Sequence, residues 1–200
     1  MLATLSFFSG SYGFKYCYIR GPISSILLFS TLGVFAQGSS FDKQVSITSL
    51  PVPHEKGQLF YLQRDPDENT VVYQLNTQND KIDQTNPIDV YWIRYAEGGT
   101  RKNLSFVQRT MAYGINSKEL ENGDFELQLA AYKALPLRLT YLKSQKKHVV
   151  LTKINGRPAI LDRIFVRITG GTTLNPDIAY FELSGRDTTG TVRLSEQRQP

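Results

Sequence analysis

An arginine set among aromatic residues is the most suggestive chemical feature of this sequence. It stands in the stretch NPIDVYWIRYAEGG, Asn86 to Gly99, where Arg94 follows a run of branched and aromatic side chains. Side chains alternate across a strand, so Arg94 would share a row with Val90 and Trp92. Such an arginine is either a ligand-binding charge on a rigid apolar surface or a structural pin that needs a partner.

A buried guanidinium without a partner is costly. We therefore predict that Arg94 is at least partly buried and either forms an ion pair with a carboxylate or stacks on an aromatic ring. Glu97 is the nearest candidate in sequence, and Asp162 and Glu182 are distant candidates because they also interrupt apolar strands.

The same region supplies the predicted binding site. Tyr91 and Tyr95 would share a strand face beside a glycine loop, and exposed aromatic side chains can stack on sugars or partners. The polar residues of the following segment could complete the cluster with Arg94. The predicted binding residues are Tyr91, Trp92, Arg94, Tyr95, Gln108, Arg109 and Tyr113.

No catalytic, metal or cofactor site is predicted. His54 and His148 lack metal-ligand spacing, and no phosphate-binding or nucleophile motif is present. Asp65-x-Asp67-x-Asn69 resembles the start of a calcium loop, but the glycine and the distal glutamate of such a loop are missing. Other acidic pairs fall in or near turns, where solvated carboxylates are common.

The N-terminus predicts a cleavable signal peptide over residues 1–36. This stretch has two cations and no acid, and an apolar run from Ile23 to Phe35 precedes Ala36. A run of 13 residues is too short to span a bilayer comfortably, and Val34-Phe35-Ala36 fits a signal-peptidase site. We expect an exported protein, periplasmic or secreted, with no stable membrane span after cleavage.

The predicted mature chain is a weakly basic domain without thiols. Residues 1–36 hold the only cysteine and two of the 23 cations but none of the 18 acids, so the remainder carries a net charge of +3. The sequence therefore excludes disulfides and cysteine-based sites. A clustered basic stripe is absent, which argues against a nucleic-acid partner.

Period-two patterns indicate strands over most of the chain. Residues 37–57 predict a polar arm and residues 58–200 a single β-rich domain. Asp65-Pro66-Asp67 predicts a turn between two strands, and Asn155-Gly156 predicts a type I′ hairpin. A last hairpin is expected within residues 177–196. Residues 125–131 and 137–141 should each turn alternate apolar side chains to the core.

One segment predicts a short helix. Its apolar face would contain Leu104, Val107, Gln108, Met111, Ala112 and Ile115. Asn103 is the expected N-cap, and Gly114 is expected after the C-terminus. The fold class is therefore mainly β, an antiparallel β-sandwich or flattened barrel with one short helix.

Four stretches together resemble one family. LFYLQRDPDENTVVYQLN, NPIDVYWIRYAEGG, VQRTMAYGI and the closing AYFELSG followed by TG are similar to the domain of unknown function 4833, found mainly in exported bacterial proteins. The resemblance covers roughly residues 58–196. It implies a single exported domain and brings no activity, cofactor or catalytic residue.

The expected role is non-catalytic binding at the cell envelope, of a small apolar or sugar ligand or of a protein partner. A hydrolase whose carboxylates converge in a cleft and a purely structural envelope protein are the alternatives. A concave pocket lined by Tyr or Trp with few acids would favour binding, and two carboxylates facing each other across a cleft would favour the hydrolase.

Overall fold

Thirteen strands make up nearly all of the regular structure. The structure is a computed structural model and describes residues 50–172 and 175–200. The predicted signal peptide and residues 37–49 of the predicted arm lie outside these ranges. The strands are β1 Gln58–Asp65, β2 Asp67–Leu75, β3 Thr77–Gln78, β4 Lys81–Ile82, β5 Ile88–Arg94, β6 Thr100–Asn103, β7 Ile115–Glu119, β8 Phe125–Leu129, β9 Leu137–Leu142, β10 Lys147–Ile154, β11 Arg157–Gly171, β12 Pro176–Asp187 and β13 Arg193–Arg198.

The long strand β11 organises the main sheet. It pairs with β12 along most of its length, and β13 pairs with β12. On its other edge, Arg157–Ile160 pairs with β10 and Arg163–Arg167 pairs with β1. Two arms of strands leave this edge, β1-β2-β5-β6 and β10-β9-β8-β7. All pairs are antiparallel except β1 with β11, which is parallel.

The main sheet curls into a half-barrel, and the mainly β prediction is confirmed. The core lies between the arms, because side chains from both arms belong to one apolar cluster. Phe60 stacks on Tyr73 in the first arm at a centroid distance of 4.2 Å. In the second arm, β8 buries Phe125, Leu127 and Leu129 in alternation, as predicted.

A smaller cluster covers the other face of the first arm. Val72, Tyr91 and Ile93 are buried there. Strand β5 is therefore covered on both faces. The segment before β1 contributes to this cover, because the Gln63 amide donates a hydrogen bond of 2.6 Å to the Pro51 carbonyl.

The predicted helix exists, but its geometry and buried face differ from expectation. It is a π-helix at Gln108–Tyr113, preceded by a 3₁₀ turn at Tyr95–Glu97. Val107 and Met111, expected in the core, are exposed. Asn103 belongs to β6 instead of capping the helix. The cap is reciprocal between Ser105 and Gln108: the Gln108 N–H donates to Ser105 Oγ, and the Ser105 N–H donates to Gln108 Oε1.

Gly114 ends the π-helix for a steric reason. Its backbone is extended, with φ −65° and ψ 160°, instead of left-handed. A Cβ at this position would lie 1.9 Å from the Arg109 carbonyl oxygen. Only glycine allows that close approach.

Candidate functional site

The seven residues predicted as one binding site do not converge, because the aromatic residues among them are divided between two faces of the sheet. Trp92 points into the core and packs edge-on against Tyr113, with ring centroids 4.9 Å apart. Tyr91 and Tyr95 lie on the opposite face with Ile93. The alternation of side chains along β5 forces this separation. The structure therefore brings Trp92 and Tyr113 together and keeps Tyr91 and Tyr95 apart from them.

Arg94 is half-buried and paired, as predicted. Its Nε and Nη2 donate to Glu97 Oε1 at 3.1 and 2.7 Å. The distant candidates are wrong for a simple reason: each carboxylate already has its own arginine. Asp162 binds Arg186 through both oxygens, and Glu182 pairs with Arg163.

The remaining predicted residues are placed by the π-helix. Gln108 is half-buried, and its side-chain oxygen accepts the cap hydrogen bond from the Ser105 N–H. Arg109 is exposed on the same turn. Arg94 donates its hydrogen bonds to Glu97, and within the described residues no polar cluster joins it to Gln108, Arg109 or Tyr113.

An arginine that the sequence did not single out lies beside the aromatic pair. The Arg64 guanidinium carbon is 5.7 Å from the Trp92 ring centroid and 5.8 Å from that of Tyr113. These distances allow cation–π attraction. Arg64 also pairs with Asp67 at 3.1 Å across the β1–β2 turn. The predicted turn already placed Arg64 near Asp67, but the sequence did not show that Trp92 and Tyr113 lie next to them.

Burial perturbs the tyrosines of both faces. Desolvation, with a smaller contribution from the negative charge of Glu55, raises the pKa of Tyr91 to about 12. The Arg101 guanidinium stacks over the Tyr91 ring at 3.5 Å. Desolvation also raises the pKa of Tyr113, partly offset by the charge of Arg64. These hydroxyls therefore stay protonated at neutral pH and are not poised as bases.

A large groove lies elsewhere, on the outer face of the second arm. Its volume is about 960 Å³. The floor is formed by β7 to β10 and one wall by residues 133–136. The floor is polar because residues of β8 that point away from the core, such as Glu126 and Gln128, alternate with the buried leucines. The lining consists of Asn116, Ser117, Lys118, Leu120, Glu126, Leu127, Gln128, Lys133, Ala134, Leu135, Pro136, Leu137, Arg138, Leu151, Thr152, Lys153 and Pro158.

The groove is cationic. Its lining contains three lysines, Lys118, Lys133 and Lys153, with Arg138 as a fourth cation, against Glu126 as the single acid. Aromatic side chains do not contribute to it. Across the strands, Lys118 is in register with Glu126, and Glu126 with Arg138.

Within the part of the chain that the structure describes, the lysines of this groove form no ion pair with a carboxylate. All eight ion pairs within residues 50–172 and 175–200 use arginine as the cation. Arg138 is one of these arginines, because its Nη2 lies 2.8 Å from Asp124 Oδ2. The uncompensated positive charge of the groove therefore resides on its lysines.

Asp124 holds Arg138 in place as a charged partner. Burial alone would raise its pKa, but hydrogen bonds from Thr140 and Asn122, together with Arg138, outweigh burial and lower it. Asp124 stays ionised at neutral pH. This fixes the guanidinium at the rim of the groove.

The carboxylates that suggested a calcium loop form ion pairs with arginines. Asp65 pairs with Arg167, and Asp67 pairs with Arg64 while accepting hydrogen bonds from the Asn69 backbone and side-chain amide. Among the described residues, no cluster of three or more histidine, cysteine, aspartate or glutamate side chains could hold a metal ion. A helix long and apolar enough to cross a membrane is likewise absent from the described ranges.

One comparison with known proteins gives a match. The family model described as Domain of unknown function (DUF4833) matches residues 60–197. The chain belongs to this family. The comparisons with curated proteins and with solved structures find no significant match.

The family assignment confirms the resemblance seen in the sequence and leaves the site to be argued from geometry. In this DUF4833 domain, the matched region contains both the groove and the Arg64–Trp92–Tyr113 cluster. None of the seven predicted residues lines the groove. The lysines, spread over residues 118–153, showed no local motif, because they meet only through the pairing of four strands.

Proposed function

We propose that this DUF4833 domain is a non-catalytic binding module of the cell envelope whose groove takes a small anionic ligand. The observation that carries the proposal is the set of three unpaired lysines in a groove of about 960 Å³. That volume lies within the range of ordinary small-molecule sites. The chemistry fits a ligand with carboxylate or phosphate groups, because ammonium groups bind such groups by charge-assisted hydrogen bonds.

The groove favours binding over the hydrolase alternative. A glycoside hydrolase of the common type needs two carboxyl groups facing each other across the substrate. Glu126 is the one acid lining this groove, and it is in register between Lys118 and Arg138. With a single carboxylate in its lining, the groove lacks the second carboxyl group that such a hydrolase needs.

The lining also selects among ligands. Sugar-binding sites commonly stack aromatic rings on the ligand, and this groove offers none. Asn116 and Gln128 instead supply amide donors and acceptors in register on neighbouring strands. A ligand that combines negative charge with hydroxyl or amide groups would satisfy both sets of side chains.

Export is the second part of the proposal and rests on residues 1–36 alone. Two cations, an apolar run and a small-residue site in that order are typical of a secretory signal. N-terminal sequencing of the secreted protein should give Gln37 as the first residue. Recovery of intact Met1 from envelope material would contradict it.

Isothermal titration calorimetry with three probes tests the groove. Trigalacturonate and inorganic tripolyphosphate are the anionic probes, and maltotriose is a neutral control of similar size to the first. We expect saturable binding of at least one anionic probe that weakens as salt rises, and no binding of maltotriose.

Two double variants locate the binding. Lys118→Gln with Lys153→Gln should weaken anion binding at least tenfold, because each lost charge contact removes a charge-assisted hydrogen bond. Lys143→Gln with Lys147→Gln changes the net charge equally at exposed positions outside the groove and should leave affinity nearly unchanged. An equal loss of anion affinity in both double variants would indicate nonspecific attraction and would reject the groove as the site. Binding of maltotriose as tight as that of trigalacturonate would also reject it.

A further inference from the structure

The helical segment from Phe106 to Tyr113 presents an apolar surface to solvent. Phe106 is 81% exposed, Met111 63% and Val107 48%. Seven large hydrophobic residues of the described chain are exposed, and these three fall within six consecutive residues. Single exposed apolar residues need no explanation, but a contiguous group commonly marks an interaction site.

The fold of the turn does not require these side chains. Ser105 and Gln108 cap it reciprocally. Thr110 Oγ1 donates to the Phe106 carbonyl at 2.9 Å, and Gly114 fits against the Arg109 carbonyl. The three apolar side chains contribute to none of these contacts, so exposing them serves no evident purpose in folding.

The segment that carries this surface is basic. The chain from Gly98 to Lys118 contains four cations and no acid. Arg101 pairs with Asp89, which leaves Lys102 and Arg109 as exposed cations before and within the helical turn. Apolar side chains flanked by unpaired cations suit a binding partner whose surface has a negatively charged layer over an apolar one.

We propose that Phe106, Val107 and Met111 form a docking surface for an anionic lipid bilayer, with Lys102 and Arg109 contacting the headgroups. The apolar side chains enter the boundary between headgroups and acyl chains, as in peripheral membrane proteins. The cations add electrostatic attraction to anionic lipid. This contact lies at the surface of the bilayer and involves no membrane-spanning element.

The apolar run at Ile23–Phe35 can itself bind vesicles, so binding of the whole chain would not test this surface. A fluorescent label placed on the surface reports its own contact with lipid and provides the test. In the full chain with Cys17→Ser, we would introduce Met111→Cys and attach an environment-sensitive nitrobenzoxadiazole group. Val192→Cys, at an exposed position in the β12–β13 turn, is the matched control. Mixed vesicles of phosphatidylglycerol and phosphatidylcholine should shift the emission of the label at position 111 to the blue and at least double its intensity. The label at position 192 should not respond.

Two double variants separate the apolar contribution to vesicle binding from the electrostatic one. Phe106→Ser with Val107→Ser should abolish the response at position 111. Lys102→Gln with Arg109→Gln should weaken apparent vesicle affinity by about fivefold per charge, whereas Lys143→Gln with Lys147→Gln should not. Unchanged far-UV circular dichroism would show that these exposed substitutions leave the fold intact.

Three results would overturn the proposal. The first is no response at position 111 to anionic vesicles, which would favour a protein partner for this surface. The second is an equal response at positions 111 and 192. The third is a response of the same size on pure phosphatidylcholine, which would remove the role of the cations.

Discussion

Two arginines illustrate how burial determines the contribution of an ion pair to the stability of the fold. Arg94 and Glu97 have side chains that are 29% and 48% exposed, whereas Arg167 and Asp65 are 13% and 8% exposed. Solvent screens the first pair, and such surface pairs contribute only about 0–1 kcal/mol. Removing one partner of a buried pair orphans a charge and costs about 3–5 kcal/mol. The role of structural pin that the sequence suggested for Arg94 therefore belongs to Arg167.

This difference gives the first prediction at the residue scale. Arg167→Met should lower the free energy of unfolding by about 3–5 kcal/mol because Asp65 stays buried without its cation. Arg94→Met should lower it by less than about 1 kcal/mol. Urea unfolding followed by circular dichroism measures both. Equal losses in the two variants would show that exposure does not separate these pairs.

His148 supplies a prediction about pH. Burial lowers its pKa from the ordinary 6.5, against a smaller opposing effect of the Asp124 charge. Its ring packs edge-on against Tyr141 at 5.0 Å. Because the folded-state pKa is the lower one, the unfolded chain takes up the proton first as the pH falls below about 6.5. The free energy of unfolding should therefore be highest above that pH and should decline between pH 7 and 5.

The matched variant isolates this histidine. His148→Gln should remove most of the decline between pH 7 and 5, measured as the difference in urea midpoint. His54 and the carboxylates remain in both proteins and provide a common background. The same decline in the variant as in the parent would assign the pH dependence to other groups.

At the element scale, the turns could be predicted from the sequence, whereas the pairing partners of the strands could not. Asn155 and Gly156 have φ values of 50° and 73°, as a type I′ hairpin requires, and β10 pairs with β11 around them. Asp65-Pro66-Asp67 joins β1 to β2 as predicted. Each of these signals lies within a few consecutive residues, where backbone sterics and side-chain hydrogen bonds act.

The positions whose burial was predicted wrongly are those where residues outside the element determine whether the side chain is buried. Tyr141 follows Leu137 and Leu139 in the alternating row of β9, yet it is 49% exposed. It lies near the end of the β9–β10 pair and packs against its cross-strand partner His148 instead of the core. The apolar face expected for the helix includes Val107 and Met111, which are exposed. The 3.6-residue period was present in the sequence, but it did not mark a face against the core.

A glycine in β12 shows how closely two strands approach at an irregularity. The β11–β12 register shifts between Leu161 and Arg163, and Asp162 at this bulge turns its carboxylate to Arg186. A Cβ on Gly185 would lie 2.1 Å from the Ile160 carbonyl oxygen. That oxygen belongs to the backbone and cannot move without disturbing the sheet.

Gly185→Ala should therefore lower the free energy of unfolding by about 1–3 kcal/mol, as overpacked sites do. Gly170→Ala, in the neighbouring strand, is the control. Its Cβ would meet only the end of the flexible Asp177 side chain at 3.1 Å, so we expect a change within about 0.5 kcal/mol. Chemical denaturation compares the two, and a Gly185→Ala protein as stable as the parent would show that the strands can separate at little cost.

At the scale of the whole molecule, the parallel pairing of β1 with β11 is the feature that the sequence left open. Tyr61 is in register with Arg163 and Asp65 with Arg167, about a hundred residues apart in the chain. Hairpin signals describe only neighbouring strands, so they could not join the first arm to the last strands. The same limit hid the groove, which exists only once β7 to β10 are assembled.

This pairing makes both arms part of one core, so they should unfold together. Trp92 is the only tryptophan of the chain and lies in the first arm, and Leu139 lies in the second at 1% exposure. Leu139→Ala leaves a cavity in the shared core and should cost about 2–5 kcal/mol. If the arms are one cooperative unit, Trp92 fluorescence and far-UV circular dichroism should report the same urea midpoint in parent and variant, with both midpoints lowered equally by the substitution. A Trp92 transition that stays at the parent midpoint while the circular dichroism transition moves would instead show that the two arms unfold independently.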